Sequence, residues 1–137
     1  MRIGIVAARF NPDITETLLS GALAMLAQSG VAKSDIEILR VPGSFELPLA
    51  CARLAKTEQY DALIALGAVI KGETDHYHFV AGEASRGLME VMLRYEIPIG
   101  FGLLTTNTLA EAEARAGTEI NFGASAARAA LLMAALS

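Results

Sequence analysis

Short apolar runs alternate with longer amphipathic stretches along this chain, and that alternation limits its fold more than any other feature. Ile3 to Ala7 is apolar throughout. Asn11-Pro12 follows, an N-cap residue with proline at the first helical position, where the missing N–H is harmless. Leu18, Leu19, Ala22, Leu23, Met25 and Leu26 mark one helical face, and Gly30 suits the stop. A second strand is expected from Ile36 to Val41, broken by Pro42-Gly43. The next helix carries Leu47, Leu49, Ala50 and Leu54 on its apolar side. Tyr60 to Ile70 holds the continuous run Ala62-Leu63-Ile64-Ala65-Leu66, the pattern of a strand buried on both faces of a parallel sheet. Gly72 opens a loop. A long helix is expected from His76 to Arg94 and a fourth strand from Ile97 to Leu104. Caps at Thr105 to Thr108 start a helix reaching Ala116, and an alanine-rich helix spans Ala124 to Leu136. The order βαβαβαβαα predicts an α/β three-layer sandwich. Its mainly parallel four-stranded sheet would be flanked by helices on both faces through right-handed crossovers. With 137 residues and no linker, repeat or low-complexity tract, one domain over residues 1–137 is expected.

Composition narrows the function classes. Hydrophobic residues make up 53% of the chain, more than a small domain readily covers by itself, which points to a homo-oligomer. A formal charge of −4 gives no reason to expect nucleic acid or an anionic membrane surface. No apolar stretch is long enough to span a bilayer, and the start MRIGIVAARF lacks a signal-peptide layout. The single cysteine, Cys51, allows no internal disulfide and no thiolate zinc cluster. It reads as a small buried hydrophobe and fits a reducing cytoplasm.

In an open parallel sheet, ligands bind beyond the carboxyl ends of the strands. That rule selects Arg9-Phe10-Asn11, Pro42 to Glu46, Lys71 to His76, and Phe101 to Thr106. His76 is the candidate for acid–base work, because histidine exchanges protons near neutral pH; otherwise it is a solvent-facing residue at a helix start. His78 lies two residues on and points elsewhere on a helix. Glu73, Thr74 and Asp75 precede a helix N-terminus, which either holds an anion such as phosphate or is simply capped. Phe10 either stacks on a flat heterocycle or belongs to the core. Arg115 near a helix end either clamps a phosphate or stands as a solvated charge. The dinucleotide fingerprint, the P-loop and the G-x-S-x-G elbow are all absent from the sequence, and two histidines with no cysteine partner make a poor metal site.

Five segments, in order, carry a resemblance. They are Ala8 to Asn11, Val41 to Pro48, Leu66 to Tyr77, Phe101 to Thr106, and Arg115 to Thr118. Together they resemble the 6,7-dimethyl-8-ribityllumazine synthase family over almost the whole chain. The resemblance implies the flavodoxin-like fold of that family and the penultimate step of riboflavin biosynthesis. In it, 5-amino-6-(D-ribitylamino)uracil condenses with 3,4-dihydroxy-2-butanone 4-phosphate, releasing water and phosphate without cofactor or metal. It also implies residue roles. Phe10 would stack on the pyrimidine, and Ser44, Phe45 and Glu46 would meet that substrate and its ribityl chain. Ala68, Val69 and Ile70 would line the ring pocket through backbone groups. Glu73 and Thr74 would hold the phosphate, Arg115 would supply the counter-charge, and His76 would shuttle protons. Phe101 would close the pocket from a neighbouring subunit, so the site would exist only in an oligomer. Pentamers or multiples of them are implied, with riboflavin synthase as a candidate partner.

Three departures from the family pattern stand out. Where the family usually reads A-G-T-K-A-G-N-K-G, this chain reads Ala116-Gly117-Thr118-Glu119-Ile120-Asn121-Phe122-Gly123. It is one residue shorter, and both lysines are gone. Lys71 and Arg128 are the candidates to replace the lost charge. His78 stands where the family commonly has an acidic residue. The chain also begins directly at its first core strand, so pentamers or paired pentamers are expected rather than a closed shell. Beside the enzyme stand a non-catalytic flavin- or lumazine-binding protein on the same scaffold and a structural shell protein. A signalling domain comes last, since no aspartate sits at a strand exit.

Overall fold

A computed structural model describes residues 1–136. Four parallel strands form one sheet: β1 (Ile3–Ala8), β2 (Ile36–Val41), β3 (Ala62–Ile70) and β4 (Ile99–Thr106), in the order β2-β1-β3-β4. Every residue of β1 is buried, as is β3 from Ala62 to Ala68, so the apolar runs are the two central strands.

Helices cover both faces. On one side α1 (Pro12–Gln28) and α5 (Phe122–Ala134) enclose a core of Ile3, Ile5, Leu18, Leu26, Ile64 and Leu66, joined by α4 (Leu109–Arg115) through Ala112. On the other side α2 (Leu47–Lys56) and α3 (His76–Tyr95) pack over Val6, Leu47, Cys51, Leu63 and Leu88. The expected three-layer sandwich is the one observed. Helix α1 ends as Gly30 leads one to expect. Gly30 has φ +86°, its N–H donates to Ala27 O, and Val31 N donates to Leu26 O. These are the paired bonds of a helix stop that needs a left-handed residue.

Some boundaries differ from the sequence reading. β4 starts at Ile99 rather than Ile97, because Glu96 turns left-handed (φ 49°) and Ile97 N still donates back to Met92 O of α3. It runs on through Thr105 and Thr106, which pair with Val69 and Ile70. Helix α5 starts two residues earlier than expected, capped by Asn121. Its small side chains allow close seating: a Cβ on Gly123 would lie 2.0 Å from Leu18 O of α1.

This topology makes the site. From β1 the chain steps one way to β2, and β3 lies on the other side of β1. The gap between β1 and β3 is therefore the switch point, where a crevice opens at the carboxyl ends.

Candidate active site

A cavity of about 750 Å³ lies at that switch point. Each wall has a local cause. β1 pairs with β3 only as far as Ala7↔Leu66, whereas β3 pairs with β4 as far as Ile70↔Thr106. The last turn of β3 thus extends past β1, and its backbone edge faces the cavity through Ala68, Val69 and Ile70.

Phe10 follows β1 and lines the cavity with 69% of its surface exposed. Its position is set by backbone: Arg9 N donates to Val41 O (2.8 Å) and Phe10 N to Pro42 O (3.1 Å). Asn11 is left-handed (φ 58°), and its Nδ2 donates to Ala68 O at 2.8 Å. Asn11 holds the N-cap position with Pro12 after it, as read from sequence. Its side chain, however, does not cap α1 and instead ties the first turn to the end of β3.

The second wall is the turn after β2. A short 3₁₀ turn, Ser44–Glu46, precedes α2. Glu46 Oε1 accepts from Gly43 N at 2.9 Å, which fixes the turn and leaves its other oxygen available. Ser44 is buried yet lines the cavity, and Phe45 stands 57% exposed beside it. The third wall is the start of α3. Gly72, Thr74, His76, Tyr77, Phe79 and Val80 line it. His76 is the first residue of α3, and its N–H donates to Thr74 Oγ1 at 3.3 Å. The Asp75 side chain makes no capping bond. The opening end of α3, the positive end of its dipole, therefore lies at the cavity beside His76, which is exposed.

Nine of the residues singled out from sequence share this cavity: Phe10, Ser44, Phe45, Glu46, Ala68, Val69, Ile70, Thr74 and His76. Glu73, Phe101 and Arg115 stand outside its lining. Glu73 is exposed on the loop before α3. Phe101 lies on β4, at the edge of the sheet, 49% exposed and on the face it shares with Ile99 and Leu103. Arg115 ends α4, whose Ala112 packs on the opposite side of the sheet from α3. Its Nη1 donates to Glu111 O at 2.9 Å. Of the two candidate replacement cations, Lys71 follows β3 directly, and its N–H donates to Thr106 O. Arg128 lines a different cavity, with Met1, Met25, Val31 and Asp35. Tyr77, Phe79 and Val80 were not among the residues singled out. The signal was present, since 76, 79 and 80 fall on one face of a helix. Among the described residues no three His, Cys, Asp or Glu side chains gather where a metal ion would sit. No described helix is long and apolar enough to cross a membrane.

A strand-switch cavity with aromatic walls, a buried hydroxyl, a carboxylate and a histidine at a helix start has the make-up of a small-molecule site in an α/β protein. The family model for 6,7-dimethyl-8-ribityllumazine synthase matches residues 1–137, and the chain belongs to that family. It is accordingly a transferase of riboflavin biosynthesis, forming 6,7-dimethyl-8-ribityllumazine from small-molecule substrates.

Proposed function

We propose that the cavity between β1 and β3 is where the pyrimidine and the keto-phosphate are joined, with residues 1–137 acting as a single domain. The observation that carries this reading is the convergence of Phe10, Ser44, Glu46, the β3 edge and His76 on one cavity at the switch point. Phe10 offers a flat apolar face to the pyrimidine ring, and the edge of β3 offers backbone donors and acceptors to its polar rim. Ser44 and the free oxygen of Glu46 suit the hydroxyls of the ribityl chain. Thr74 and the positive end of α3 suit the phosphate, to which Glu73 would offer its backbone N–H and not its carboxylate.

The chemistry then needs little beyond alignment and protons. An amine of the pyrimidine adds to the ketone, and water leaves as the Schiff base forms. Elimination expels phosphate, and the second amine closes the ring with further loss of water. His76 takes the proton from the attacking amine and returns it to a departing oxygen. Such a group adds roughly 10²–10⁴-fold in rate. Holding both reactants together supplies the larger part, since aligned partners reach effective molarities of about 10⁵ M or more.

One chain does not carry the whole site. Phe101 and Arg115 are absent from the lining of the chain's own cavity, so on this reading a neighbouring copy supplies them. Phe101, exposed on the edge strand β4, would then close a neighbour's ring pocket, and Arg115 would bring a cation to its phosphate. A closed ring of five copies, alone or paired, is the assembly this reading favours. Riboflavin synthase, which would consume the product, is the partner it suggests, and the cytoplasm is the compartment.

Phe10→Ala tests the pocket. Loss of stacking should weaken pyrimidine binding about 5- to 10-fold and leave the KM of the keto-phosphate unchanged. Unchanged pyrimidine affinity would remove Phe10 from the site.

A further inference from the structure

Phe122 opens α5 at the end of a segment that carries no lysine, and the turn before it is firmly held. Asn121 caps α5 by accepting from Ala124 N at 3.0 Å. Its Nδ2 donates to Gly117 O and to Thr17 O, both at 3.1 Å, which ties the turn to α1. Gly117 N donates to Ile120 O (2.8 Å), and Ala116 bridges Asn121 across the turn. Gly21 leaves the room this amide needs, since a Cβ there would lie 2.1 Å from Asn121 Oδ1.

The ring so fixed lies under a guanidinium. The Arg115 Cζ is 6.0 Å from the Phe122 ring centroid. On its other side Arg115 Nη1 donates to Glu111 O of its own helix. Among the described residues no carboxylate lies within ion-pair distance of Arg115. The guanidinium thus touches an aromatic ring and one backbone carbonyl, and its remaining N–H donors are not neutralised by an acid.

We infer that Phe122 is a positioning residue for the phosphate-bearing substrate: it holds the guanidinium of Arg115 by cation–π contact so that its free N–H edge meets the phosphate. The inference rests on the assignment of Arg115 to the phosphate made above. An aromatic face takes a guanidinium without consuming its in-plane donors, so the fork that pairs with two phosphate oxygens stays open. The 116–123 segment holds no lysine to share the task, so what this part of the chain gives the phosphate depends on how well Arg115 is presented.

The test is a two-residue cycle read on the KM of the keto-phosphate and the Ki of inorganic phosphate. Phe122→Leu keeps apolar bulk and removes the ring. It should raise both constants about 2- to 5-fold, and leave kcat and the KM of the pyrimidine unchanged. Phe122→Tyr should restore wild-type values. Arg115→Ala should raise both constants further, and adding Phe122→Leu to it should have no extra effect, because the ring then has no cation to hold. Wild-type constants in Phe122→Leu, beside raised ones in Arg115→Ala, would overturn the inference and spare the assignment of Arg115. An undiminished Phe122→Leu effect in the Arg115→Ala background would overturn it too. Unchanged constants in Arg115→Ala would remove Arg115 from the phosphate site and the inference with it.

Discussion

Asn11 shows how one side chain can serve the site instead of the helix it precedes. Its amide donates to Ala68 O at 2.8 Å, so the first turn is tied to the strand end that lines the cavity. The α1 amides beside it gain no side-chain cap. The single Thr15 hydroxyl proton goes to Asn11 O at 2.7 Å, with Phe10 O at 3.1 Å sharing it, which steadies the left-handed turn. Cys51 illustrates the opposite case, a reactive group made inert by its surroundings. It is fully buried on α2, and burial pushes its thiol from the ordinary 9.0 up to about 12. A folded-state value above the unfolded one means that the folded protein keeps its proton longer. This contribution to stability is complete below pH 9 and is lost as pH rises towards about 12. At pH 8 a thiol reagent should therefore fail to modify the native protein and label it promptly in denaturant. Rapid labelling of the native form would contradict the burial.

At the scale of elements, the strands and the long helices could be read from periodicity because burial dictates it. β1 and β3 are apolar on both faces because helices cover both. Ends were read less well where a backbone conformation decided them. The left-handed Glu96 delays β4, and the threonines Thr105 and Thr106 continue the strand although they break its apolar pattern. The cavity wall could be read from strand exits and motifs, including Phe10, Ser44, Glu46 and His76. The helix that carries Arg115 was legible from its caps, but not its packing on the side of the sheet opposite α3, nor the turn that ends in Phe122, since both depend on long-range packing of α4 and α5. The turn is held by Asn121, which links Gly117 of the turn, α5 and α1 through three side-chain bonds. Asn121→Ala removes these bonds and leaves backbone groups without partners. It should lower stability by about 2 kcal/mol, read as a shift of the denaturation midpoint with unchanged slope. A shift within about 0.5 kcal/mol would mean the turn is held by packing alone.

For the whole molecule, Phe101 and Arg115 stand outside the cavity that contains His76, and on the function proposed above assembly would be part of the chemistry. Two defective variants should then repair each other. His76→Ala and Arg115→Ala chains, co-assembled in equal amounts and assayed at low keto-phosphate, should recover about a quarter of the wild-type rate, because random neighbours unite the two intact residues that often. No recovery would place Arg115 in the same chain's cavity. The central claim is that this cavity forms the lumazine with His76 as its proton shuttle. Its most direct test is single-turnover absorbance of the product chromophore with both substrates present, wild type beside His76→Ala. The account predicts formation well above the spontaneous rate, slowed roughly 10²–10⁴-fold in the variant with the fold intact. Equal rates in the two proteins would contradict the role of His76, and background-level formation with tight lumazine binding would contradict catalysis by this site.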